Sequence, residues 1–244
     1  MILRRLYSFW AVFSMVFFFL LLILPLLIMV PFKSLHKQAL RINCMWAWCF
    51  LKMAGIPVQM EWQFTPDVKA QYILCANHFS YLDIPILGLF PIAFKFVGKS
   101  SLAKIPVFGY MYKTLHITVN RSSYRSRAQS LIEARNSVKE GFNLGFFPEG
   151  GIRLKSYPNM VDFKDGAFKL AAENNLPIVP VTMPDNYRIL RDNDLLNIRR
   201  KTCRIIYHSP IWPNGSTDED VKKLREEVFR VIQAELDKHS QAMV

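Results

Sequence analysis

The sequence predicts an α/β fold: a single domain built on a mostly buried mixed sheet flanked by helices. Seven short apolar runs suit strands, and helical stretches lie between several of them. A length of 244 residues fits one such domain, and no change in composition marks a boundary inside it. We therefore divide the chain into an apolar, membrane-associating helical segment, residues 1–55, and one domain, residues 56–244.

The predicted strands are short and rich in apolar residues, as is typical of strands that are buried on both faces of a sheet. A proline inside a strand removes a hydrogen-bond donor, so Pro180 predicts a sheet edge or a bulge at that point. The strands are predicted at residues 58–62, 72–76, 94–98, 117–119, 144–147, 178–183 and 203–207.

Helices are predicted at residues 126–139 and 165–174 and at the C-terminus. Gly141 follows the first of them as a stop signal, and its expected apolar face holds Ala128, Leu131, Ile132, Ala134 or Arg135, and Val138. Thr217 is the expected cap of the C-terminal helix, because acidic residues fill the turn that follows it. That helix carries one apolar stripe: Val221, Leu224, Val228, Ile232 and Leu236.

A long apolar segment precedes the domain, and it carries no charge between residues 6 and 32. Its core, residues 9–30, is 22 residues long, or roughly 33 Å as a helix, against a hydrocarbon thickness of about 30 Å. Basic residues flank it on both sides, so the positive-inside rule assigns both flanks to the cytoplasmic side. We therefore expect a hairpin-like or in-plane anchor, bent or broken at Pro25, that holds the domain on the cytoplasmic face of the cell membrane.

A second apolar run, residues 42–51, is too short to span a bilayer. It contains Trp46, Trp48 and Phe50 between basic residues, a pattern that suits the headgroup region of a membrane. The same pattern also fits a helix that packs on the domain. Both interpretations place the run in the membrane-facing part of the chain.

The chain is strongly basic, with 31 Lys and Arg against 19 Asp and Glu and a net charge of +12. Such a charge predicts an anionic partner, which could be nucleic acid, a membrane surface or a phosphorylated substrate. Nucleic acid ranks lowest, because the basic residues are dispersed and the apolar segment would be unexplained. The cysteines form no Cys-x-x-Cys pair, so we expect buried thiols and no metal site at Cys44, Cys49, Cys75 and Cys203.

The most informative stretch is residues 77–83, which follow the predicted strand 72–76. His78 and Asp83 are five residues apart where an open α/β sheet places its chemistry. A carboxylate that accepts a hydrogen bond from one imidazole nitrogen fixes the tautomer, which leaves the other nitrogen free to take a proton from an alcohol. The alternative is a capping Asn77, a surface histidine and an unrelated aspartate.

A second motif, Phe-Pro-Glu-Gly-Gly at residues 147–151, follows another apolar strand, and Arg153 comes two residues later. Glycines let a backbone approach a ligand closely, and arginine suits bidentate binding of a phosphate. Lys99 lies at the end of a further strand. Each feature alone also fits an ordinary solvated turn.

Taken together, four blocks resemble the lysophosphatidic acid acyltransferase (1-acylglycerol-3-phosphate acyltransferase) family of glycerolipid acyltransferases. Residues 77–83 match its Asn-His-(four residues)-Asp block, residues 97–109 its second block and residues 178–181 its fourth. Asn120-Arg121 stands where many members have Asp-Arg. Phe-Pro-Glu-Gly at 147–150 matches the third block, in which Thr-Arg follows; here Arg153 is displaced by one residue. The resemblance covers about residues 55–210.

The resemblance implies transfer of an acyl group from an acyl thioester, on coenzyme A or acyl carrier protein, to the free hydroxyl of lysophosphatidic acid, giving phosphatidic acid in phospholipid biosynthesis. It implies that His78 is the general base and that Asp83 orients it. The implied substrate-binding residues are Lys99, Arg121, Glu149, Gly150 and Arg153. No cofactor is expected beyond the thioester co-substrate, and the expected partners are the lipid bilayer, the lysophospholipid acceptor and acyl-CoA or acyl carrier protein.

Other functions remain open from the sequence. The same chemistry could act on another lyso-acceptor, such as a different lysophospholipid or a lyso-aminolipid. A membrane-anchored hydrolase would use water in place of the alcohol, although no Gly-x-Ser-x-Gly motif is present. A catalytically silent lipid-binding module would not need the pair formed by His78 and Asp83.

Overall fold

A computed structural model describes residues 2–153, 156–191 and 197–241, and within them a seven-stranded sheet carries helices on both faces. The strands are β1 (Val58–Trp62), β2 (Ile73–Ala76), β3 (Phe94–Lys99), β4 (Ile117–Val119), β5 (Asn143–Phe146), β6 (Ile178–Thr182) and β7 (Cys203–Tyr207). The helices are α1 (Ile2–Met29), α2 (His36–Ala54), α3 (Asp83–Leu87), α4 (Phe108–Leu115), α5 (Tyr124–Lys139), α6 (Gly166–Asn174), α7 (Asn186–Ile189) and α8 (Asp218–Gln241).

The sheet has the order β1-β7-β6-β2-β5-β3-β4 and is mixed, as predicted. Only the β6–β7 pair is antiparallel, and the other neighbours run parallel. All seven predicted strands are present, each within a residue of its expected bounds. Since β2, β3, β4 and β5 run in one direction, the residues that follow them meet at the same edge of the sheet.

Pro180 lies in β6, which pairs with a strand on each side, so the prediction of a sheet edge is wrong. The pairing beside Pro180 fits the alternative, a bulge, which lies on the segment that follows β7. Ile178 bridges to Ile211, whereas Val181 pairs with Tyr207. The partner strand therefore advances four residues while β6 advances three, and the extra residue lies beside Pro180, where a ladder hydrogen bond is not needed.

The C-terminal helix has the predicted cap and the predicted stripe. The Thr217 hydroxyl accepts from the backbone N–H of Asp220 (3.2 Å), and the Asp220 carboxylate accepts from the backbone N–H of Thr217 (3.1 Å). All five stripe residues of α8 are buried in the core on one face of the sheet, with α5 and α6. Helix α5 is rotated from its expected orientation, because it buries Ser130, Ala134, Ser137 and Val138 and exposes Ala128 and Ile132.

The N-terminal helices form an antiparallel hairpin. The indole N–H of Trp10 donates to the Met53 carbonyl oxygen (2.9 Å), and that of Trp46 donates to the Met15 carbonyl oxygen (3.1 Å). The expected break at Pro25 is absent, because α1 continues through Pro25 to Met29 and the chain reverses only afterwards; a bend at Pro25 stays a prediction. Proline removes one backbone donor, a loss that a long apolar helix tolerates.

Helix α1 exposes most of its large apolar side chains. Among the described residues it is the helix long and apolar enough to cross a membrane, judged on length and composition alone. Helix α2 fits both interpretations of residues 42–51. Phe50 and Leu51 are buried in the core, as in a helix packed on the domain, while Met45 and Trp48 are exposed, as in a helix that faces a membrane. The hairpin therefore packs on the domain through one face and presents an apolar surface on the other.

Candidate active site

The turn after β2 places His78 against Asp83, as the sequence predicts. Imidazole Nδ1 lies 2.9 Å from carboxylate Oδ2. The same oxygen accepts from the backbone N–H groups of Phe79 and Ser80, each at 2.8 Å. Asp83 is completely buried at the start of α3, so these hydrogen bonds replace the water that its charge would otherwise require.

This arrangement fixes the histidine tautomer. Nδ1 carries a proton that it donates to Asp83, which leaves Nε2 with a free lone pair. Nε2 makes no hydrogen bond to any residue in the described part of the chain. The ring also stacks on Phe147, with centroids 4.0 Å apart and planes 17° apart, so its orientation is set by packing as well. His78 therefore has the geometry of a general base that is ready to accept a proton.

The second oxygen of Asp83 has a partner that the sequence does not indicate. Asn186, at the start of α7, donates through Nδ2 to Asp83 Oδ1 (2.9 Å). The Asn186 oxygen in turn accepts from the thiol of Cys203 on β7 (2.5 Å). Both residues are completely buried. More than a hundred residues separate Asn186 from Asp83, and no spacing rule links them.

Asn77 ties the turn at residues 77–83, which we call the catalytic turn after the role predicted for His78, to the next strand of the sheet. Its side chain accepts from the backbone N–H of Met183 (2.7 Å) and donates to the carbonyl oxygen of the same residue (3.0 Å). These bonds join the end of β2 to the end of β6, and the residue is completely buried. Asn77 therefore holds the turn in place and is not a cap.

Glu149 lies beneath the catalytic turn and is 1% exposed. Oε1 accepts from the backbone N–H of His78 (2.8 Å), and Oε2 accepts from that of Val161 (3.3 Å). Burial raises the pKa of Glu149 to about 7, although both hydrogen bonds lower it. The carboxylate thus joins the two predicted motifs, and its role in substrate binding stays a prediction.

Two of the predicted cations lie beside this junction. Arg121, two residues after β4, donates through Nη1 to the carbonyl oxygen of Gly150. Arg153 donates its backbone N–H to the carbonyl oxygen of His78 (3.0 Å), and its side chain is exposed. Burial lowers the pKa of Arg121, and the nearby charge of Arg153 lowers it further. The two guanidinium groups therefore face the same region next to the catalytic turn.

Lys99 ends β3 at the same edge of the sheet, where it pairs in register with Val119 of β4. No hydrogen bond or ion pair in the described residues joins it to His78, Glu149 or either arginine. The structure therefore links Arg121 and the Arg153 backbone to the two motifs by hydrogen bonds, whereas Lys99 ends β3, between β5 and β4 at the same edge, without such a bond in the described residues.

Some backbone N–H groups around the site are hydrogen-bonded, and others are not. The N–H groups of His78, Phe79 and Ser80 are taken by Glu149 and Asp83. Gly150 has φ +78°, a conformation that favours glycine, and its N–H bonds to Phe147. The N–H of Gly151 makes no hydrogen bond within the described ranges. An oxyanion that forms in acyl transfer needs hydrogen-bond donors, for which the Asn77 turn and the Glu149–Gly151 turn are the candidates. The structure leaves an unbonded N–H, within the described residues, in the turn at Glu149–Gly151.

No group of three or more His, Cys, Asp or Glu side chains that could hold a metal ion occurs within residues 2–153, 156–191 and 197–241.

We expect Asn186→Ala to lower kcat about tenfold or more while KM changes little, because it removes a donor from Asp83 and touches no substrate. The free energy of unfolding should fall by about 1–3 kcal/mol, since Asp83 Oδ1 would be buried without a partner. Steady-state kinetics and denaturant unfolding measure both.

The matched control for Asn186 is Asn143→Ala. Asn143 is also buried and bonds to two backbone groups, on Tyr72 and Ala93, but it lies at the start of β5, far from the turn. Its loss should cost comparable stability with wild-type kcat. If both variants lost activity in proportion to stability, Asn186 would have no positioning role.

The family model described as Acyltransferase matches residues 56–184. The chain is 33% identical over 172 residues to a 1-acyl-sn-glycerol-3-phosphate acyltransferase of Chlamydomonas reinhardtii, an alignment that covers 70% of this chain and 51% of that protein. It is 31% identical over 150 residues to the protein of that name from Borreliella burgdorferi, covering 60% of this chain and 59% of that one.

Among solved structures, the fold is similar to the crystal structure of the 1-acyl-sn-glycerophosphate (LPA) acyltransferase PlsC from Thermotoga maritima. The TM-score is 0.76 at 22% identity, over 98% of this chain and 95% of that one. At that identity the likeness shows the fold. The chain spans about half the length of the curated relatives that it matches first.

Proposed function

The chain belongs to the Acyltransferase family, and we propose that it moves an acyl group from an acyl thioester to the free hydroxyl of lysophosphatidic acid, giving phosphatidic acid. The observation that carries this proposal is the pair of His78 and Asp83, beside a turn at which Arg121 bonds to Gly150 and the Arg153 backbone bonds to His78. The pair supplies a base for an alcohol, and the arginines supply charge for a phosphate. The names of the curated relatives support the same acceptor.

In the proposed mechanism, His78 Nε2 takes the proton from the acceptor hydroxyl as the oxygen attacks the thioester carbonyl carbon. Asp83 stabilises the imidazolium that forms, and its own charge is kept by four hydrogen bonds. The tetrahedral intermediate then collapses, the carbon–sulfur bond breaks, and the imidazolium returns its proton to the thiolate. No enzyme nucleophile is required, because the substrate's hydroxyl takes the place of a catalytic serine.

The oxyanion of this intermediate needs donors, and we assign them to the Glu149–Gly151 turn. The N–H groups of His78, Phe79 and Ser80 are already bonded, whereas the Gly151 N–H is unbonded within the described residues. The left-handed conformation of Gly150 suits a turn whose N–H groups point toward an anion.

The phosphate of the acceptor is proposed to bind between Arg121 and Arg153. The family's third motif places its arginine one residue earlier, yet here the Arg153 backbone bonds directly to His78, which brings the guanidinium to the catalytic turn. Arginine is suited to bidentate binding of phosphate oxygens. Lys99, at the end of β3 between β5 and β4, remains a further candidate for the phosphate.

We expect Arg153→Ala to raise KM for lysophosphatidic acid about 10- to 100-fold, since hydrogen bonds to charged groups contribute about 1.5–3 kcal/mol. KM for the acyl donor should change little. Initial rates with each substrate varied in turn measure both constants. Arg230→Ala on the exposed side of α8 is the charge-matched control and should leave both unchanged.

Equal effects of Arg153→Ala on both substrates, or none, would move the phosphate to Arg121 or Lys99.

Acyl-CoA or acyl carrier protein is the proposed co-substrate. Both are anionic, and the +12 net charge of the chain favours either one. A panel of lyso-acceptors offered with each thioester tests the whole proposal. Lysophosphatidic acid should give the highest kcat/KM, because its phosphomonoester carries the most charge for the two arginines. A lysophospholipid with a capped phosphate that reacts faster would replace the proposed acceptor.

The hairpin of α1 and α2 is proposed to lie in one leaflet of the bilayer, with both ends of α1 on the cytoplasmic side. Arg4 donates to the Asn197 side chain (3.1 Å) near the start of α1, and Leu26 and Val30 near its end are buried against Met111 and Leu115. A helix of 28 residues is about 42 Å long, so a spanning helix could not touch the same domain at both ends across a bilayer.

Labelling of single cysteines in sealed cells tests this placement. In a variant whose native cysteines on α2, Cys44 and Cys49, are replaced by serine, we expect Arg5→Cys and Ser34→Cys to react only after the membrane is permeabilised. Both positions are exposed in the structure. Reaction of either cysteine from outside the cell would establish a transmembrane helix in place of the hairpin.

A further inference from the structure

We propose that a lysine-lined cavity at the edge of the sheet where β3 and β4 begin binds the phosphate of an anionic glycerophospholipid of the bilayer. The cavity has a volume of about 690 Å³ and lies between the α1–α2 turn, the end of α4 and the face of α5. We call it the lysine cavity, after Lys33, Lys37, Lys95 and Lys113 in its wall. Glu133 and Glu140 also line it, so cations outnumber carboxylates there.

The lysine cavity is separate from the catalytic turn. Lys95 is the second residue of β3 and Ile117 is the first of β4, so the cavity lies at the edge where these strands begin. The catalytic residues follow the other ends of the parallel strands. Along β3 alone, Lys95 and Lys99 are about 13 Å apart at 3.3 Å per residue. A lipid phosphate in this cavity therefore lies away from the site at which the proposed reaction binds its acceptor and its product.

Lys95 is the residue that indicates an anion. It is 8% exposed, and its Nζ lies 3.2 Å from the Ser137 hydroxyl oxygen and 3.9 Å from the centre of the Phe142 ring. Its nearest carboxylate is Glu140, 3.8 Å away on a side chain that is 55% exposed. Such a long and solvated ion pair compensates little of the cost of burying an ammonium group. A phosphate oxygen would complete the compensation.

The other lysines strengthen the same requirement. The Lys37 ammonium lies 5.5 Å from the centre of the Phe142 ring, so it shares that ring with Lys95. Burial lowers the pKa of Lys95, Glu140 raises it, and the charge of Lys33 lowers it again. Lys33, Lys37 and Lys113 are exposed and able to reach a ligand. Four lysines against the two carboxylates Glu133 and Glu140 leave an excess of positive charge, which a bound anion would compensate.

The neighbouring apolar surface identifies the source of that anion. Phe32 directly precedes Lys33 and is 57% exposed, and Ile28, four residues before it, is 68% exposed. These residues continue the exposed apolar surface of α1 up to the mouth of the lysine cavity. A lipid can therefore keep its acyl chains in the bilayer while its phosphate enters the cavity, and a soluble phosphate would gain nothing from this surface.

The test uses full-length protein in a neutral detergent, with phosphatidylglycerol in mixed micelles at constant ionic strength and bound lipid counted by native mass spectrometry. Phosphatidylglycerol is an anionic phospholipid that is neither substrate nor product of the proposed reaction. We expect retention of phosphatidylglycerol in preference to phosphatidylcholine. Lys37→Gln/Lys113→Gln should weaken that binding about tenfold or more, since each close lysine contributes about a fivefold factor.

Two controls separate the lysine cavity from general charge and from the catalytic site. Lys52→Gln/Lys222→Gln removes the same charge from exposed positions outside the cavity and should weaken binding less than about threefold. Arg153→Ala should leave binding unchanged. Lys95→Met should lose binding as well, and its unfolding midpoint shows whether this variant folds. The result for Lys37→Gln/Lys113→Gln does not depend on that outcome, because both lysines are exposed.

Equal losses in the two lysine pairs would overturn the site in favour of unspecific attraction. Loss of binding in Arg153→Ala would place the lipid in the catalytic cleft. Competition by inorganic phosphate as effective as by the lipid would overturn the assignment to a bilayer phospholipid.

Discussion

Replacing His78 with alanine is expected to abolish acyl transfer and to leave the fold and the membrane association intact. The imidazole is the proposed base, and proton transfer by such a group contributes about 10²–10⁴-fold to the rate. The fold should survive because Asp83 keeps its bonds from Phe79, Ser80 and Asn186 when the imidazole is removed. Turnover with lysophosphatidic acid, circular dichroism and membrane fractionation measure the three properties.

His239→Ala is the matched control, because His239 lies on α8 next to Arg204 and outside the catalytic turn. It should retain wild-type turnover. If His78→Ala kept more than about a tenth of the wild-type rate, far short of the loss of a general base, His78 would not be that base.

The second large effect is expected from Asp83→Asn, which should keep the shape of the site and lose about 10²-fold or more of the rate. Asp83 Oδ2 accepts from three N–H groups, so an amide oxygen should occupy the same place and still hold the tautomer of His78. The amide nitrogen would then face Asn186, which can rotate its own amide to accept from it. The variant therefore removes the negative charge that stabilises the imidazolium, and little else.

Measurement of kcat together with denaturant unfolding separates these effects in Asp83→Asn. The unfolding midpoint should stay close to that of the wild type while kcat falls. A wild-type kcat would show that the negative charge of Asp83 does not contribute to the rate. A large loss of stability would mean that the variant changes the structure as well as the charge.

The sheet could be predicted because its signals are local. Runs such as Ile73–Ala76 have no polar residue to expose, and a buried parallel strand is the state that satisfies both their side chains and their backbone. The cap of α8 and its stripe are local in the same sense. The position of His78 and Asp83 follows from one short turn, which is why sequence spacing was sufficient for that pair.

Other features depend on contacts between distant segments, which spacing does not report. Asn186 reaches Asp83 only because α7 packs beside the catalytic turn. Helix α5 buries Ser137 and exposes Ile132, and the buried Ser137 hydroxyl accepts a hydrogen bond from Lys95 of β3, a contact that spacing does not report. Pro180 was compatible with an edge or a bulge, and only the partner strand decides between them.

The most direct test of the account follows the labelled acyl chain of an acyl thioester through the purified protein, with and without lysophosphatidic acid. If His78 activates the acceptor hydroxyl, label should appear in phosphatidic acid when the acceptor is present, and the thioester should stay intact when it is absent. The His78→Ala variant should form neither labelled phosphatidic acid nor labelled free fatty acid. Release of labelled free fatty acid at the same rate with and without the acceptor would contradict the account and show a hydrolase.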